Sequence, residues 1–163
     1  LGNAFDVAFN REGELFAGDN GPSGANGEEP PDEFNHIEEG QNYGFPYFFG
    51  DPPKNGGTKG ALVSFPPHSV PTGLSFYTGN TYPTQYRDSG FLTLWQRGEI
   101  MQLEVARAGN GNYLSRPTPF GSGFLYPIDV VTGPDGNLYV ADFGTSAIYR
   151  ITYDVNKDLG SAN

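Results

Sequence analysis

Short runs of apolar and aromatic residues alternate with polar positions along the chain, and most of these runs end at Gly, Pro, Asn or Asp. Typical examples are "LFAGD" (residues 15–19) and "LYVAD" (residues 138–142). A period of two is the pattern of a half-buried β-strand, whereas a helix repeats its apolar positions every three to four residues. No segment carries a strong helical period, so the pattern predicts an all-β protein.

Two segments follow the same plan, "FDVAFNREGELFAGDNG" (residues 5–21) and "IDVVTGPDGNLYVADFG" (residues 128–144). In both, an apolar strand enters a turn whose glycine can adopt a positive φ, and a second strand leaves that turn. This arrangement predicts an antiparallel hairpin in each copy. The identical aligned pairs are Asp6 and Asp129, Val7 and Val130, Gly13 and Gly136, Leu15 and Leu138, Asp19 and Asp142, and Gly21 and Gly144.

A more divergent copy between the two makes three predicted β-meander units, with limits near 1–65, 66–120 and 121–155 and a tail at 156–163. Radial repetition of such units indicates a β-propeller, and a β-sandwich is the alternative. The units exceed the roughly 40 to 50 residues of a typical blade, so we assign the excess to loops at 22–70 and 106–126. Three blades cannot close a ring, which predicts a fragment of a longer protein or a dimer that completes one ring.

Composition narrows the possible partners. The formal net charge is −10, which disfavours nucleic acid and anionic membranes and favours cations. From Glu12 to Pro53 there are ten carboxylates and no Lys or Arg. Calcium would neutralise such a segment with carboxylate and carbonyl oxygens, and a solvated acidic loop is the alternative. The absence of Cys excludes disulfides and thiolate chemistry, and the two isolated histidines do not support a zinc site.

Several strings resemble motifs of the glucose/sorbosone dehydrogenase family. They are "NAFDVAF", "DNGP", "DEFNHI" and "QNYGFP" in the first unit, "TGLSFYTG" and "LWQRGEI" in the second, and "IDVVTGPDGNLYVAD" in the third. The resemblance implies the C-terminal half of a six-bladed β-propeller in a family that oxidises aldoses with pyrroloquinoline quinone (PQQ) and calcium. It places the general-base histidine in the other half, so no catalytic residue is assigned to this chain. It also implies a sugar or aldehyde ligand, and we expect a periplasmic or extracellular protein.

The resemblance implies roles for individual residues. The backbone carbonyls of Gly21 and Pro22 would hold the calcium beside the cofactor. The Glu33 carboxylate and the Tyr43 carbonyl would form a second calcium site. The remaining cofactor-binding residues are Asn3 and Arg97, together with Trp95, the aromatic residue we expect to face the central pocket.

Basic residues of the family are absent at four positions, which carry Gly2, Gln96, Tyr126 and Ile128. PQQ is a tricarboxylate, and each missing Lys or Arg removes a charge-assisted bond to it. Two alternatives therefore stay open. One is a non-catalytic, calcium-stabilised propeller that serves as a binding module. The other is a metal-dependent lactonase-like propeller whose metal ligands would include Asp6, Asn20 and Asp142.

Overall fold

The computed structural model describes residues 1–24, 27, 29–53 and 56–155, and the predicted tail at 156–163 lies outside them. Within these ranges, eleven strands form three antiparallel sheets. The first sheet contains β1 (Ala4–Phe9), β2 (Leu15–Asp19), β3 (Asp32–Ile37) and β4 (Val63–Phe65). The second contains β5 (Pro71–Phe76), β6 (Gly90–Leu94), β7 (Glu99–Arg107) and β8 (Tyr113–Ser122). The third contains β9 (Pro127–Thr132), β10 (Leu138–Asp142) and β11 (Ala147–Ile151).

The first strands of the three sheets lie side by side. The Leu74 N–H donates to Asp6 Oδ2 at 2.8 Å and joins β5 to β1, while Thr72 Oγ1 donates to the Pro127 carbonyl at 3.0 Å and joins β5 to β9. At Gly73 a Cβ would lie 2.4 Å from Asp129 Cα, so only glycine permits this approach. Sheets that meet through their first strands have the arrangement of propeller blades. The predicted all-β fold of about three blades is confirmed.

Two apolar cores fill the spaces between neighbouring blades. One packs Phe16 and Phe34 of the first blade against Leu92 of the second, and the other packs Phe91 of the second blade against Val140 of the third. Strand β6 is buried along its whole length because its alternate side chains enter opposite cores. The middle blade thus holds the three sheets together and fixes how their ends meet.

The segments that we assigned to loops contain strands. Residues 22–70 include β3 and β4, and residues 106–126 include β8. Pro117 and Pro119 in β8 disfavour a strand assignment from sequence because proline cannot donate to a sheet. However, β8 is the outermost strand of its sheet, and residues two apart along a strand direct their backbone N–H positions to the same side. Both prolines can therefore face outward without cost to the pairing with β7.

The free flank of the first blade is apolar. Phe5, Val7 and Phe9 alternate along β1 and are each at least half exposed, at 52%, 53% and 66%. The opposite side of this blade is packed in the first core. Among the described residues, no helix has the length and apolar character that crossing a bilayer requires.

Candidate functional site

The predicted cofactor-binding residues all lie at one end of the sheets, here called the entry rim. At this rim the first strand of each blade begins and the second strand ends, as the pairings of Ala4 with Asp19 and of Pro71 with Leu94 show. Asn3 precedes β1, Gly21 follows β2, and Trp95 and Arg97 form a short 3-10 turn after β6. The fold therefore brings together residues that are up to 94 positions apart, from Asn3 to Arg97.

Asp19 and Asp142, which occupy equivalent positions in the two sequence repeats, stabilise this rim by accepting backbone hydrogen bonds. The Asp19 carboxylate accepts the Gly2 and Asn3 N–H groups at 2.8 to 3.1 Å, and the Asp142 carboxylate accepts four backbone N–H groups from two loops. Burial would raise the pKa of Asp142, but these four bonds outweigh it and lower the pKa below its ordinary value. A carboxylate held in this way is a structural acceptor. Asp142 consequently does not serve the lactonase alternative, and the described residues contain no cluster of three or more His, Asp or Glu that could hold a metal.

The "DNGP" turn is held by a residue that the motifs did not single out. Asp32 accepts the Gly21 N–H and the Val70 N–H, both at 2.8 Å. The Asn20 amide group donates to the Pro71 carbonyl at 3.0 Å, while its Oδ1 is buried and has no hydrogen-bond partner among the described residues. A buried acceptor without a partner is costly unless a ligand or water satisfies it. The turn is thus rigid and has one unused acceptor.

A cavity of about 500 Å³ opens beside this turn and is here called the turn cavity. Asn3, Gly21 and Pro22, three of the predicted cofactor-binding residues, lie in its wall. Among the described residues, the wall contains no Lys or Arg, while Asp32 contributes a carboxylate. The size is within the range of roughly 300 to 1,000 Å³ that is typical of small-molecule sites.

Trp95 lines a different, apolar cavity of about 320 Å³, here called the tryptophan cavity. Its other wall residues are Phe5, Val70, Thr72, Ile128 and Phe143. The Trp95 ring stacks on Tyr126, with centroids 4.4 Å apart, and Arg97 Nε donates to Glu99 Oε2 at 2.8 Å. Phe5 and Val70 line both cavities, so the two are neighbours on the entry rim. Of the residues predicted to bind the cofactor, Asn3, Gly21 and Pro22 therefore line the turn cavity. Trp95 lines the tryptophan cavity, and Arg97 lines neither.

All four predicted calcium-binding residues surround one small cavity of about 20 Å³, here called the small cavity. Gly21 and Pro22 form one part of its wall, and Glu33 and Tyr43 form another. At Gly21 a Cβ would lie 2.6 Å from the Pro31 carbonyl oxygen, so a side chain there would displace the wall. The volume suits a single ion or water.

The Glu33 carboxylate is unusual in its surroundings. Burial raises its pKa and the negative charge of Asp19 adds to this effect, although a hydrogen bond from the Asn35 amide at 3.2 Å opposes it. The Tyr43 hydroxyl donates to the His36 carbonyl at 2.7 Å and accepts the Glu38 N–H at 2.8 Å, which anchors the loop that carries Tyr43. The Asp19 and Glu33 carboxylates both belong to residues that line the small cavity, where an added cation would stabilise the two charges.

The two histidines occupy contrasting positions. His36 is buried, with 2% of the residue exposed, and its Nε2 lies 2.9 Å from Glu14 Oε2. His68 instead lines the turn cavity, and its Nε2 lies 2.6 Å from Glu29 Oε2. Sequence spacing could not reveal this second contact, because the two residues are 39 positions apart on separate loops.

The chain is similar to several proteins of known structure. It is 29% identical to an oxidoreductase (glucose dehydrogenase) from Thermus thermophilus, with a TM-score of 0.67, and the match covers 82% of this chain and 37% of that one. It is 19% identical to the PQQ-bound aldose sugar dehydrogenase from Streptomyces coelicolor, with a TM-score of 0.66 and coverage of 89% and 38%. At this identity the second likeness supports the propeller fold alone.

Sequence comparison leads to the same group. The chain is 32% identical over 168 aligned positions to an uncharacterized protein from Borreliella burgdorferi, in a match that covers 86% of this chain and 44% of that protein. The chain thus spans less than half the length of each of these relatives. The family model described as Glucose / Sorbosone dehydrogenase matches residues 2–150. Because this match covers nearly the whole chain, the chain belongs to the Glucose / Sorbosone dehydrogenase family.

Proposed function

We propose that this chain is part of a calcium-dependent, PQQ-type dehydrogenase that oxidises an aldose or a sorbosone-like aldehyde. Family membership over residues 2–150 supports the reaction class. The observation that carries the calcium part of the proposal is the small cavity, where Glu33 and Tyr43 come together with Gly21 and Pro22. The general base is expected outside this chain, as the resemblance implied.

The donor set around the small cavity fits calcium. Ca²⁺ prefers carboxylate and carbonyl oxygens in flexible geometry. Glu33 offers a carboxylate whose charge is disfavoured by burial and by Asp19, and a cation would offset both effects. Tyr43, Gly21 and Pro22 contribute backbone carbonyls to the proposed site. The two predicted calcium positions are therefore better treated as parts of one region around the small cavity.

The described residues do not by themselves fit PQQ. Within the described ranges, no Lys or Arg lines the turn cavity or the tryptophan cavity. Arg97 is paired with Glu99. Tyr126 stands where the family carries an arginine, and its ring stacks on Trp95. Within these ranges, a tricarboxylate would thus meet the Asp32 carboxylate in the turn cavity and no cationic side chain in either cavity. The proposal of PQQ requires basic residues from outside the described part of the chain, and we derive no chemical step through the quinone.

Ring completion is the second part of the proposal. The exposed apolar flank of β1, formed by Phe5, Val7 and Phe9, has the character of a surface between blades. We propose that further blades cover it, contributed by the remainder of a longer protein or by a second copy of this chain. Light scattering on the 163-residue chain tests the second possibility. A dimer is expected if two copies complete the ring, and a stable monomer would contradict that arrangement.

Turnover is the direct test of the function. The full-length protein, supplied with calcium, PQQ and a dye acceptor, should oxidise at least one aldose or sorbosone, and chelation of calcium should abolish the activity. No turnover on any of these substrates would refute the proposed reaction. Calcium-dependent stability without PQQ binding would instead favour the non-catalytic propeller, the alternative to which the missing basic residues at Gly2, Gln96, Tyr126 and Ile128 point. Export to the periplasm or exterior stays a prediction.

A further inference from the structure

A cavity of about 430 Å³, here called the opposite cavity, lies at the end of the sheets that faces away from the entry rim. Its wall contains Phe9 and Phe76, the last residues of β1 and β5, whereas these strands begin at the entry rim. Arg11 and Arg87 also lie in its wall. We infer that the opposite cavity binds the phosphate group of a small molecule, and that these two arginines recognise it.

Arg11 and Arg87 lack strong carboxylate partners. Three arginines elsewhere in the chain pair with glutamate at 2.6 to 2.8 Å, namely Arg97, Arg107 and Arg116. Arg87, in contrast, is exposed and has no ion-pair partner within the described ranges. Arg11 meets Asp88 at 3.4 Å, and both of these side chains are exposed. Since exposed pairs of this kind are weak, both guanidinium groups are available to a ligand.

Backbone hydrogen bonds fix the turns that carry the two arginines. In the turn of Arg11, the Gly13 N–H donates to the Asn10 carbonyl at 3.0 Å. In the second blade, the Arg87 N–H donates to the Thr84 carbonyl at 3.1 Å. Because the backbone beside both side chains is already ordered, a ligand has to order the side chains alone. Less conformational entropy is then lost on binding.

The acidic residues beside Arg11 do not cancel its charge. Glu12 and Glu14 belong to the same turn, but both accept hydrogen bonds from Arg107, at 3.3 and 2.6 Å. Asp88 lies in the cavity wall, and its carboxylate would oppose a bound anion. More distant charges are screened, since the Debye length is about 8 Å at physiological ionic strength. The opposite cavity is thus a local exception to the net charge of −10.

Phosphate suits the two arginines better than a carboxylate does. A guanidinium group can donate two parallel hydrogen bonds to one anion. A phosphate ester has three strong acceptor oxygens and can therefore accept from two arginines at once, whereas a carboxylate has two oxygens. The backbone N–H groups of Gly79 and Asn80, which also line the cavity, have no partner among the described residues and are further donors.

The size of the opposite cavity favours a ligand larger than the free anion. Its volume lies within the range of roughly 300 to 1,000 Å³ that is typical of small-molecule sites. The side-chain amide of Asn80 offers both a donor and an acceptor to the remainder of such a ligand. The cavity therefore fits a small phosphate ester, and inorganic phosphate shares the group that the arginines recognise.

Titration calorimetry on the full-length protein tests the inference with inorganic phosphate and glycerol 3-phosphate, at low ionic strength and near neutral pH. No calcium is added, because it precipitates phosphate. We expect Arg11→Gln and Arg87→Gln each to raise the dissociation constant about 10-fold, since each removes hydrogen bonds to a charged group. Arg116→Gln is the matched control, because it removes the same charge from an exposed arginine outside the cavity. The control should leave affinity within about twofold.

Asp88→Asn should have the opposite effect. The φ of Asp88 is 57°, and asparagine tolerates this left-handed conformation. The substitution removes the carboxylate from the cavity wall and frees Arg11 from its ion pair. It should lower the dissociation constant for phosphate about threefold, in line with the modest energy of exposed charge pairs. Weaker phosphate binding by this variant would contradict the charge argument.

Unfolding midpoints establish that each variant is folded. Absence of saturable binding by both probes overturns the inference, and so do equal affinities in Arg11→Gln, Arg87→Gln and the control. Acetate that binds as tightly as phosphate would refute the argument from the number of acceptor oxygens. Tighter binding of glycerol 3-phosphate assigns the cavity to phosphate esters, and equal or tighter binding of inorganic phosphate assigns it to the free anion. The measurement involves no turnover, so failure of the proposed dehydrogenase would leave this inference standing.

Discussion

Replacing Glu33 with Gln should have opposite effects on stability with and without calcium. In the calcium-free protein, burial and the charge of Asp19 raise the pKa of Glu33 above its ordinary value of 4.5. A raised pKa means that the folded state binds the proton more tightly than the unfolded state, so this carboxylate opposes folding as the pH rises through 4.5 and beyond. Glu33→Gln removes that charge. In chelator near neutral pH, we expect the variant to unfold at the same temperature as the unsubstituted protein or a higher one.

Calcium should reverse the order. A ligand present at 100 times its dissociation constant stabilises the folded state by about 2.7 kcal/mol. In a domain of this size, 1 kcal/mol moves the unfolding midpoint by about 2 to 4 °C, so calcium should raise the midpoint by roughly 5 to 11 °C. Glu33→Gln should lose most of this increase because it lacks the carboxylate ligand. Calcium affinity should also fall as the pH is lowered, since protons compete for Glu33.

Differential scanning fluorimetry with calcium and with chelator measures both effects in one experiment. Glu39→Gln is the matched control, because Glu39 is exposed and carries the same charge. The control should keep the full calcium-dependent increase. An equal increase in Glu33→Gln would refute the assignment of Glu33 as a calcium ligand. A large loss of stability of Glu33→Gln in chelator would contradict the reasoning about its pKa.

Three other substitutions test the entry rim and the contact between the second and third blades. Asp142→Ala should lower the free energy of unfolding, measured in urea, by about 3 to 5 kcal/mol, because four backbone N–H groups lose a charged acceptor. Because the pKa of Asp142 is lowered in the folded protein, this difference between variant and unsubstituted protein should shrink as the pH falls below about 4. Tyr82→Phe should cost about 1 to 2 kcal/mol, since its hydroxyl donates to the Ile151 carbonyl and accepts the Leu138 N–H between blades; a neutral result would contradict this linking role. Arg97→Ala should change stability by less than about 1 kcal/mol because its pair with Glu99 is exposed, and an unchanged PQQ titration would remove Arg97 from the cofactor-binding residues.

The hairpins were predictable because their information is local. The copies at 5–21 and 128–144 place a turn glycine between two strands, and the structure forms β1 with β2 and β9 with β10 there. Strand β8 was not predictable in the same way. Its prolines disfavour a strand in general, and only its outermost position in the sheet makes them harmless. That position depends on the whole fold.

The candidate site was predictable only in part. Motif strings located Gly21, Pro22, Glu33 and Tyr43, but no spacing indicates that all four line one small cavity. The contact between His68 and Glu29 depends on two separate loops that meet beside the turn cavity. Asp32 escaped attention for a related reason, since its two acceptor bonds serve backbone groups 11 and 38 residues away. Long-range convergence of this kind leaves no periodic signal in the chain.

The outer strands of the second and third sheets, β8 and β11, differ in how readily they can pair with a strand from another molecule. Pro117 and Pro119 leave β8 without two of the donors that a foreign strand would need, so this border resists association. Strand β11 is the outer strand of the third sheet within the described residues, has no proline, and exposes Ile148 and Tyr149. Strand addition, whether productive assembly or aggregation during purification, should therefore begin at β11. Replacing Ile148 with proline or lysine should therefore reduce association of the isolated chain through β11.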